Sequence, residues 1–152
     1  MPKGVTMKKL IFALTLLALL LPLALAAKVH QIEGLWYDQD KAAKIQIYKT
    51  AAGTYDGKIV WQKEPNEDGK PKLDKKNPDK SLRSRPLMNL VIVKHLKSKG
   101  DNKYEGGTIY DPMSGNTYSI KAELTGPNTM KLRGFIAISL VGRTQTWTRA
   151  NP

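Results

Sequence analysis

The stretch Thr117-Tyr-Ser-Ile-Lys-Ala-Glu-Leu124 alternates polar and apolar side chains without a break. Because successive side chains of an extended strand point to opposite faces, the apolar members from Tyr118 to Leu124 fall on one face. Turn-forming residues follow at Gly126-Pro127-Asn128, and the alternation resumes at Met130. The stretch therefore predicts one strand of an antiparallel hairpin that buries a single face.

Runs of the same kind extend in both directions from this hairpin. They span Gly34–Asp38, Lys44–Tyr48, Gly57–Trp61, Leu87–Val93, Tyr104–Tyr110, Met130–Leu140 and Arg143–Arg149. The run after Met130 is long enough to need a bulge or bend near Gly134. About eight strands with short connections are typical of an antiparallel meander, and closure into a barrel removes exposed sheet edges. We expect an all-β protein whose strands form one small closed barrel.

One connection is too long for a hairpin loop. The polar segment from Lys63 to Pro86 contains four prolines. Within it, Asn77-Pro78-Asp79 combines an N-cap residue, a proline suited to the first helical position and an acid in the first turn. The segment predicts one short helical turn that ends by Arg85, because the residue before a proline is biased away from helical dihedrals. Long loops often carry function, so this segment is a candidate lid over the barrel mouth.

The first 26 residues have the three parts of an export signal. Met7-Lys8-Lys9 gives a positive start, Leu10–Leu25 is apolar, and Ala24-Leu25-Ala26 is a small-residue cleavage site. An uncleaved membrane anchor is the alternative, since the apolar run is nearly long enough to span a bilayer. We expect a signal peptide over residues 1–26, a single β-barrel domain over residues 27–152, and a periplasmic or secreted mature protein.

Composition narrows the chemistry and the partners. The sequence has no cysteine, which excludes disulfides, thiol nucleophiles and zinc–thiolate sites. The net charge is +12, and without residues 1–26 the 22 basic and 13 acidic residues leave +9. A positive surface favours anionic partners, which outside the cytoplasm are lipid headgroups, acidic glycans or small acids rather than nucleic acid. A solvated exterior without a partner is the simpler interpretation. The oligomeric state is left open.

Catalytic signals are sparse. Only His30 and His95 occur, no histidine pair has metal-ligand spacing, and no phosphate loop or serine-nucleophile motif is present. The sequence therefore predicts neither a cofactor nor a metal site. A carboxylate-pair hydrolase would have to draw on Glu105, Asp111 and Glu123. Of these, Asp111 is better explained by Asp-Pro turn chemistry, and Glu123 alternates outward.

A basic and aromatic group is the best candidate for a ligand site. If the long connection folds over the mouth, its arginines could hold a carboxylate or phosphate while the apolar interior takes a hydrophobic tail. The candidate residues are Arg83, Arg85, Tyr110, Tyr118, Arg133 and Arg143. In the alternative interpretation, the arginines cap loop carbonyls and pair with Asp74 or Asp79 to fasten the connection.

Several blocks, in order, resemble one family of exported bacterial proteins. They are Gly57–Trp61, Asp68–Asp74, Leu82–Leu87, Gly107–Pro112 and Gly142–Arg149. Together they are similar to the family called domain of unknown function 2147, a resemblance that implies no assigned activity. Many members of that family also look as if they carry a pair of cysteines around the turn after the second strand. Residues Lys49–Asp56 of this chain have no cysteine there, so the resemblance implies no disulfide here.

A shorter resemblance concerns Gly34-Leu35-Trp36, at the start of the first strand. Gly-x-Trp holds this place in calycins, the superfamily of lipocalins and fatty-acid-binding proteins, where the Trp closes the barrel bottom beneath an Arg of the last strand. The resemblance implies a calycin-like barrel in which Arg143 or Arg149 packs on Trp36. Gly34, Trp36, Trp61, Trp147 and Arg149 are accordingly interpreted as structural residues.

Three functions from different classes fit this sequence. The protein could bind a small hydrophobic or amphipathic acid without chemistry, bind anionic lipid or glycan through its basic surface, or be an unrecognised hydrolase. An eight-stranded barrel is just wide enough to be filled by side chains or to hold one small ligand, so the interior volume decides. Large residues expected to point inward and fill it are Trp61, Ile136, Ile138 and Leu140.

Overall fold

Eight antiparallel strands close into a barrel in this computed structural model, which describes residues 30–136 and 142–151. The barrel strands are β1 (Gly34–Tyr37), β2 (Ala43–Lys49), β3 (Tyr55–Gln62), β6 (Val91–Gly100), β7 (Lys103–Asp111), β8 (Asn116–Gly126), β9 (Thr129–Phe135) and β10 (Gly142–Arg149). A small hairpin of β4 (Asn66–Glu67) and β5 (Lys70–Pro71) and one 3-10 turn (Lys80–Leu82) lie between β3 and β6. The predicted all-β barrel with one helical turn in its long connection is confirmed.

The strand order around the barrel is β1-β10-β9-β8-β7-β6-β3-β2, so that the first and last strands meet. Trp36 pairs with Arg149 and Tyr37 with Thr148 across this seam. Inside, the alternation of β8 and β9 builds the core, because Ala122 opposes Leu132 and the neighbouring apolar pairs are buried with them. Each fully buried large aliphatic side chain contributes about 1.5–3 kcal/mol.

A tryptophan and an arginine close one end of the barrel. The Arg149 guanidinium lies 4.0 Å from the centre of the Trp36 ring, and the Trp36 indole N–H donates to the Ile32 carbonyl at 2.8 Å. Arg149 also donates to the carbonyl oxygens of Gln31 and Glu33, both at 2.7 Å. Burial lowers the pKa of Arg149 from its ordinary value. Of the two arginines that the sequence offered, Arg149 is the one that packs on Trp36.

The helical turn begins two residues later than the sequence pattern suggested. Its N-cap is Asp79, whose carboxylate accepts the Ser81 N–H at 2.9 Å. Asn77 does not cap the turn because its side-chain oxygen accepts the Asp79 N–H and its amide group donates to Asp74.

The side-chain direction of Trp61 was predicted wrongly. Lys44 pairs with Trp61 and the next residue, Ile45, pairs with Ile59, so Val60 is an extra residue that inverts the alternation. Trp61 therefore faces outward, 38% exposed, with its ring edge-on to Tyr37 at 6.1 Å.

Two further expectations about the strands need correction. Ile136 does not fill the interior: it is 64% exposed at the cavity entrance, because β9 ends at Phe135. The strand predicted from Leu87 begins only at Val91, since Leu87 and Asn89 donate their N–H groups to Lys72 and Ile59 in an irregular segment.

Some predictions fall outside the described part of the chain. These are the signal peptide over residues 1–26 and the inward placement of Ile138 and Leu140. Among the described residues, no helix has the length and apolarity that crossing a bilayer requires.

Candidate functional site

The interior of the barrel is open at the end opposite Trp36. A cavity of about 840 Å³ enters there, at the mouth, which we define as the end bounded by residues 38–42, 63–90 and 112–115 and by Ile136 and Gly142. Six aliphatic side chains from five strands form most of its deeper wall: Ala43, Ile45, Ile59, Ile92, Ile109 and Leu132. The Trp147 ring also faces the cavity, and its indole N–H is satisfied by the Gln145 side-chain oxygen at 3.1 Å.

A glycine on β9 keeps space between two of the predicted ligand-binding residues. Gly134 pairs with Ile120 of β8 on one side and with Arg143 of β10 on the other. A Cβ atom at Gly134 would lie 3.7 Å from the Tyr118 Cβ, in ordinary contact. Tyr118 and Arg143 therefore line the same part of the wall, with no side chain between them at position 134.

Most acidic groups in the cavity wall already accept hydrogen bonds or pair within their own loops. The Asp38 carboxylate accepts the Ala42 N–H at 2.7 Å, which fastens the β1–β2 turn. Asp111 accepts the Met113 N–H at 2.9 Å and the Ser114 hydroxyl at 2.6 Å. These carboxylates accept hydrogen bonds from nearby groups of their own turns, as aspartate side chains in loops commonly do.

The basic side chains of the cavity wall form fewer ion pairs and hydrogen bonds than these carboxylates. Lys72 lies 3.8 Å from the Glu64 carboxylate. Lys63 and Arg143 line the cavity and form no ion pair with any carboxylate in residues 30–136 and 142–151. The mouth therefore offers two cationic groups to an incoming anion, while Asp38 and Asp111 are held by their turns and Asp40 also lines the wall.

Three of the six predicted ligand-binding residues do not line the cavity. Arg133 lies on the outer surface of β9, where its guanidinium donates to the Thr144 hydroxyl at 3.1 Å. Arg83 donates to the Asn77 carbonyl at 2.7 Å, inside the long connection. Arg85 pairs with Asp74 at 2.8 Å. For Arg83 and Arg85 the structure shows the contacts of the alternative interpretation, in which they fasten the connection.

Asp74 is at the centre of these contacts. We call the group formed by Asp74, Asn77, Arg85 and Tyr110 the Asp74 latch. The Asp74 side chain is fully buried and accepts hydrogen bonds from the Asn77 amide at 2.7 Å, the Arg85 Nε at 2.9 Å and the Tyr110 hydroxyl at 2.5 Å. Burial, followed by the neighbouring Asp74 carboxylate, raises the pKa of Tyr110 to about 12. The latch joins the long connection to strand β7, beside the cavity that Tyr110 also lines.

Sequence reasoning treated Asp74 only as one possible partner of the arginines. A signal for its central role was present, because Asp74, Arg85 and Tyr110 each lie in a different block of the family resemblance. Nothing in the sequence pattern marked Lys63 or Gln145 as part of the wall, since both positions depend on how distant strands meet.

The carboxylates considered for hydrolysis are dispersed. Glu105 lies on the outer surface of β7, 3.8 Å from Lys121, and Asp111 caps the β7–β8 turn. Glu123 faces outward beside Lys131. His95 is exposed on β6, where its backbone N–H donates to Asp56. In the described part of the chain, no group of three or more histidine and carboxylate side chains could hold a metal ion.

The comparisons with known proteins agree with this architecture. A solved structure, protein HP1028 from the human pathogen Helicobacter pylori, is described as belonging to the lipocalin family. It superposes with a TM-score of 0.71 at 22% sequence identity, over 81% of this chain and 85% of the other. The similarity shows a lipocalin-like fold. A search of curated proteins found no match.

The family model described as "Uncharacterized protein conserved in bacteria (DUF2147)" matches residues 34–149, from the first residue of β1 to the last of β10. Because this match covers the whole barrel, the chain belongs to the DUF2147 family.

Proposed function

We propose that this protein is an exported binding protein that holds one small amphipathic acid in its barrel and performs no chemistry on it. The observation that carries the proposal is the apolar cavity of about 840 Å³, which lies within the range of roughly 300–1,000 Å³ typical of ligand pockets. The apolar part of the ligand would lie against the aliphatic wall between Ile45 and Leu132. Its burial there supplies the affinity, at about 25 cal/mol per Å² of apolar surface removed from water.

The polar end of the ligand is expected at the mouth, near Arg143. Arg143 lines the cavity without a described carboxylate partner, and Tyr118 lines the same wall, where its hydroxyl accepts the Asn116 amide at 3.5 Å. An anionic headgroup would satisfy both donors, and a hydrogen bond to a charged group contributes about 1.5–3 kcal/mol. Lys63 adds a second positive charge at the rim. A carboxylate, sulfonate or phosphate monoester is therefore favoured over a neutral alcohol.

The test compares a charged and a neutral ligand of equal chain length. Oleate and oleyl alcohol would each be titrated against a fluorescent fatty acid bound to the protein. For the variant Arg143→Gln we expect the affinity for oleate to fall by about tenfold or more, which corresponds to the loss of one charge-assisted hydrogen bond. The affinity for oleyl alcohol should stay within about twofold, because the apolar wall is unchanged.

Arg133→Gln is the matched control, since Arg133 belongs to the adjacent strand and hydrogen-bonds Thr144 on the outer surface. Its affinity for both ligands should equal that of the wild type. If both variants lost the same oleate affinity, Arg143 would act only through the overall positive charge of the protein and not through a contact with the headgroup. Failure of the wild type to bind either ligand would contradict the proposal as a whole.

A further inference from the structure

Exposed apolar side chains gather around the mouth of the barrel. Among the described residues, four large hydrophobic side chains are exposed: Trp61, Leu82, Met113 and Ile136. Met113 and Ile136 line the cavity entrance, and they are also the most exposed of the four, at 70% and 64%. Trp61 directly precedes Gln62 and Lys63, which line the cavity, and Leu82 belongs to the long connection. Exposed apolar residues concentrated at one end mark an interaction surface.

These side chains lie on separate connections rather than in one groove. Met113 is in the β7–β8 turn, Ile136 follows β9, and Trp61 is near the end of β3, across the mouth. A folded protein partner would need pockets at matching positions to bury all of them. A lipid surface needs no such match, because it accepts separate apolar side chains wherever they enter.

The aromatic and basic neighbours of this rim also fit a lipid surface. Trp61 contacts Tyr37 edge-on at 6.1 Å, and the Lys44 ammonium lies 5.3 Å from the Tyr37 ring and 5.9 Å from the Trp61 ring. Trp and Tyr side chains are enriched at the membrane–water interface, where lysines reach the headgroups. Lys63 and Arg143 add positive charge at the cavity entrance.

Charge complementarity favours an anionic bilayer over a second copy of this chain. The sequence carries 25 basic and 13 acidic residues, so two copies that met mouth to mouth would bring like net charges together. The connections that bound the mouth at residues 38–42 and 63–90 are also net positive, with nine basic and seven acidic residues.

We propose that the mouth of the barrel docks onto an anionic phospholipid bilayer, with Met113, Ile136 and Trp61 entering the interface. The cavity then opens toward the lipid, so an amphipathic acid passes between bilayer and barrel without crossing water. This inference rests on the proposed function for the identity of the cargo, whereas the docking itself does not require a cargo.

Cosedimentation with vesicles tests the docking in ligand-free protein. We expect binding to vesicles that contain phosphatidylglycerol, weaker binding to pure phosphatidylcholine, and a further decrease with added salt. The double variant Met113→Ser with Ile136→Ser should bind at least about tenfold more weakly, because two exposed apolar side chains no longer enter the interface. Tyr48→Ser is the matched control: it removes a partly exposed aromatic residue near the closed end and should bind as the wild type does.

Tryptophan emission gives a second readout of the docked orientation. Trp36 and Trp147 are buried, at 0% and 2% exposure, whereas Trp61 is exposed at the rim, so the part of a vesicle-induced shift that Trp61→Phe removes reports on Trp61. We expect a blue shift in the wild type and none in Trp61→Phe. Binding that is equally strong in the Met113/Ile136 double variant, or an emission maximum unchanged by vesicles, would overturn the proposal. So would self-association of the wild type that the same double variant abolishes, because the rim would then bind a second copy.

The cavity-filled variant Gly134→Leu separates this inference from the proposed function. It should lose fatty acid binding and keep vesicle binding. A wild type that takes up oleate but ignores vesicles would contradict the docking alone, and one that binds vesicles but takes up no ligand would contradict the proposed function alone.

Discussion

At the residue scale, one close approach explains why position 34 holds a glycine. Gly34 has a φ of +125°, and a Cβ atom there would lie 2.7 Å from the Arg149 Nη1. That guanidinium is held by the ring of Trp36 and by carbonyl oxygens before β1 and after β8, so it cannot move aside cheaply. The glycine is therefore required by both the backbone conformation and the arginine that packs on Trp36.

We expect Gly34→Ala to lower the free energy of unfolding by about 2 kcal/mol or more, because the backbone strain and the displacement of Arg149 add together. Urea unfolding followed by circular dichroism measures this change. Gly126→Ala is the matched control, since no atom lies within 4 Å of its added Cβ and its φ is not positive. The control should stay within about 0.5 kcal/mol of the wild type. If the two variants lost the same free energy of unfolding, the close approach of Arg149 would not be the reason for the glycine at position 34.

At the scale of elements, the long connection is fastened to the barrel by the Asp74 latch. Its hairpin and 3-10 turn contribute no buried hydrophobic residue, so hydrogen bonds must supply much of its order. A fully buried carboxylate is costly unless its lone pairs are satisfied, and here Asn77, Arg85 and Tyr110 satisfy them. The latch therefore fastens residues 74–85 of the connection at the mouth by polar contacts, while Leu87 and Leu90 bury its end in the core.

The Tyr110 hydroxyl makes the latch dependent on pH. Its pKa is raised from 10.0 to about 12, so the folded state holds this proton more tightly than the unfolded state does. The stabilisation of the folded state by this protonated hydroxyl is complete below pH 10 and is lost as pH rises toward 12. We expect Tyr110→Phe to be less stable than the wild type by about 1–3 kcal/mol at neutral pH, because Asp74 loses a donor.

The gap between wild type and Tyr110→Phe should narrow when urea unfolding is repeated at increasing pH above 10. A gap that is constant across this range would show that the hydroxyl does not stabilise the latch. Phe is the suitable replacement because it keeps the ring beside the cavity and removes only the titrating group.

At the scale of the whole molecule, the cavity and the core share one closed sheet. The strands that carry the apolar wall are the same strands whose pairing closes the barrel, and β1 meets β10 to complete the ring. A ligand that binds in the cavity therefore binds the native barrel and not the unfolded chain. Its binding should raise the stability of the entire domain rather than of one loop.

Oleate at about one hundred times its dissociation constant should add about 2.7 kcal/mol to the free energy of unfolding of the wild type. Thermal unfolding with and without oleate measures the shift in midpoint temperature. Gly134→Leu should show no shift, because its side chain would project into the space between Tyr118 and Arg143. A ligand-dependent shift of equal size in Gly134→Leu would mean that oleate binds elsewhere on the protein.

Local patterns were sufficient to predict the strands and the closed sheet. Alternation in residues 117–124 is a property of consecutive residues, and the turn at residues 126–128 follows from residue types that adopt turn conformations. The pattern failed at Trp61, because the extra residue Val60 in β3 is defined only by its pairing with β2. Likewise, the choice of Arg149 over Arg143 as the partner of Trp36 depended on which end of β10 lies at the closed end of the barrel.

The sequence by itself determined a basic, cysteine-free chain of alternating strands, since charge, composition and strand periodicity need no knowledge of distant contacts. Only the tertiary structure decided that the barrel interior is open and that Tyr118 and Arg143 face it, while Arg83 and Arg85 serve the latch. The physical reason is that a cavity is what remains after all strands have paired. Its volume depends on the registers, bulges and side-chain directions of every strand at once, and no single segment specifies it.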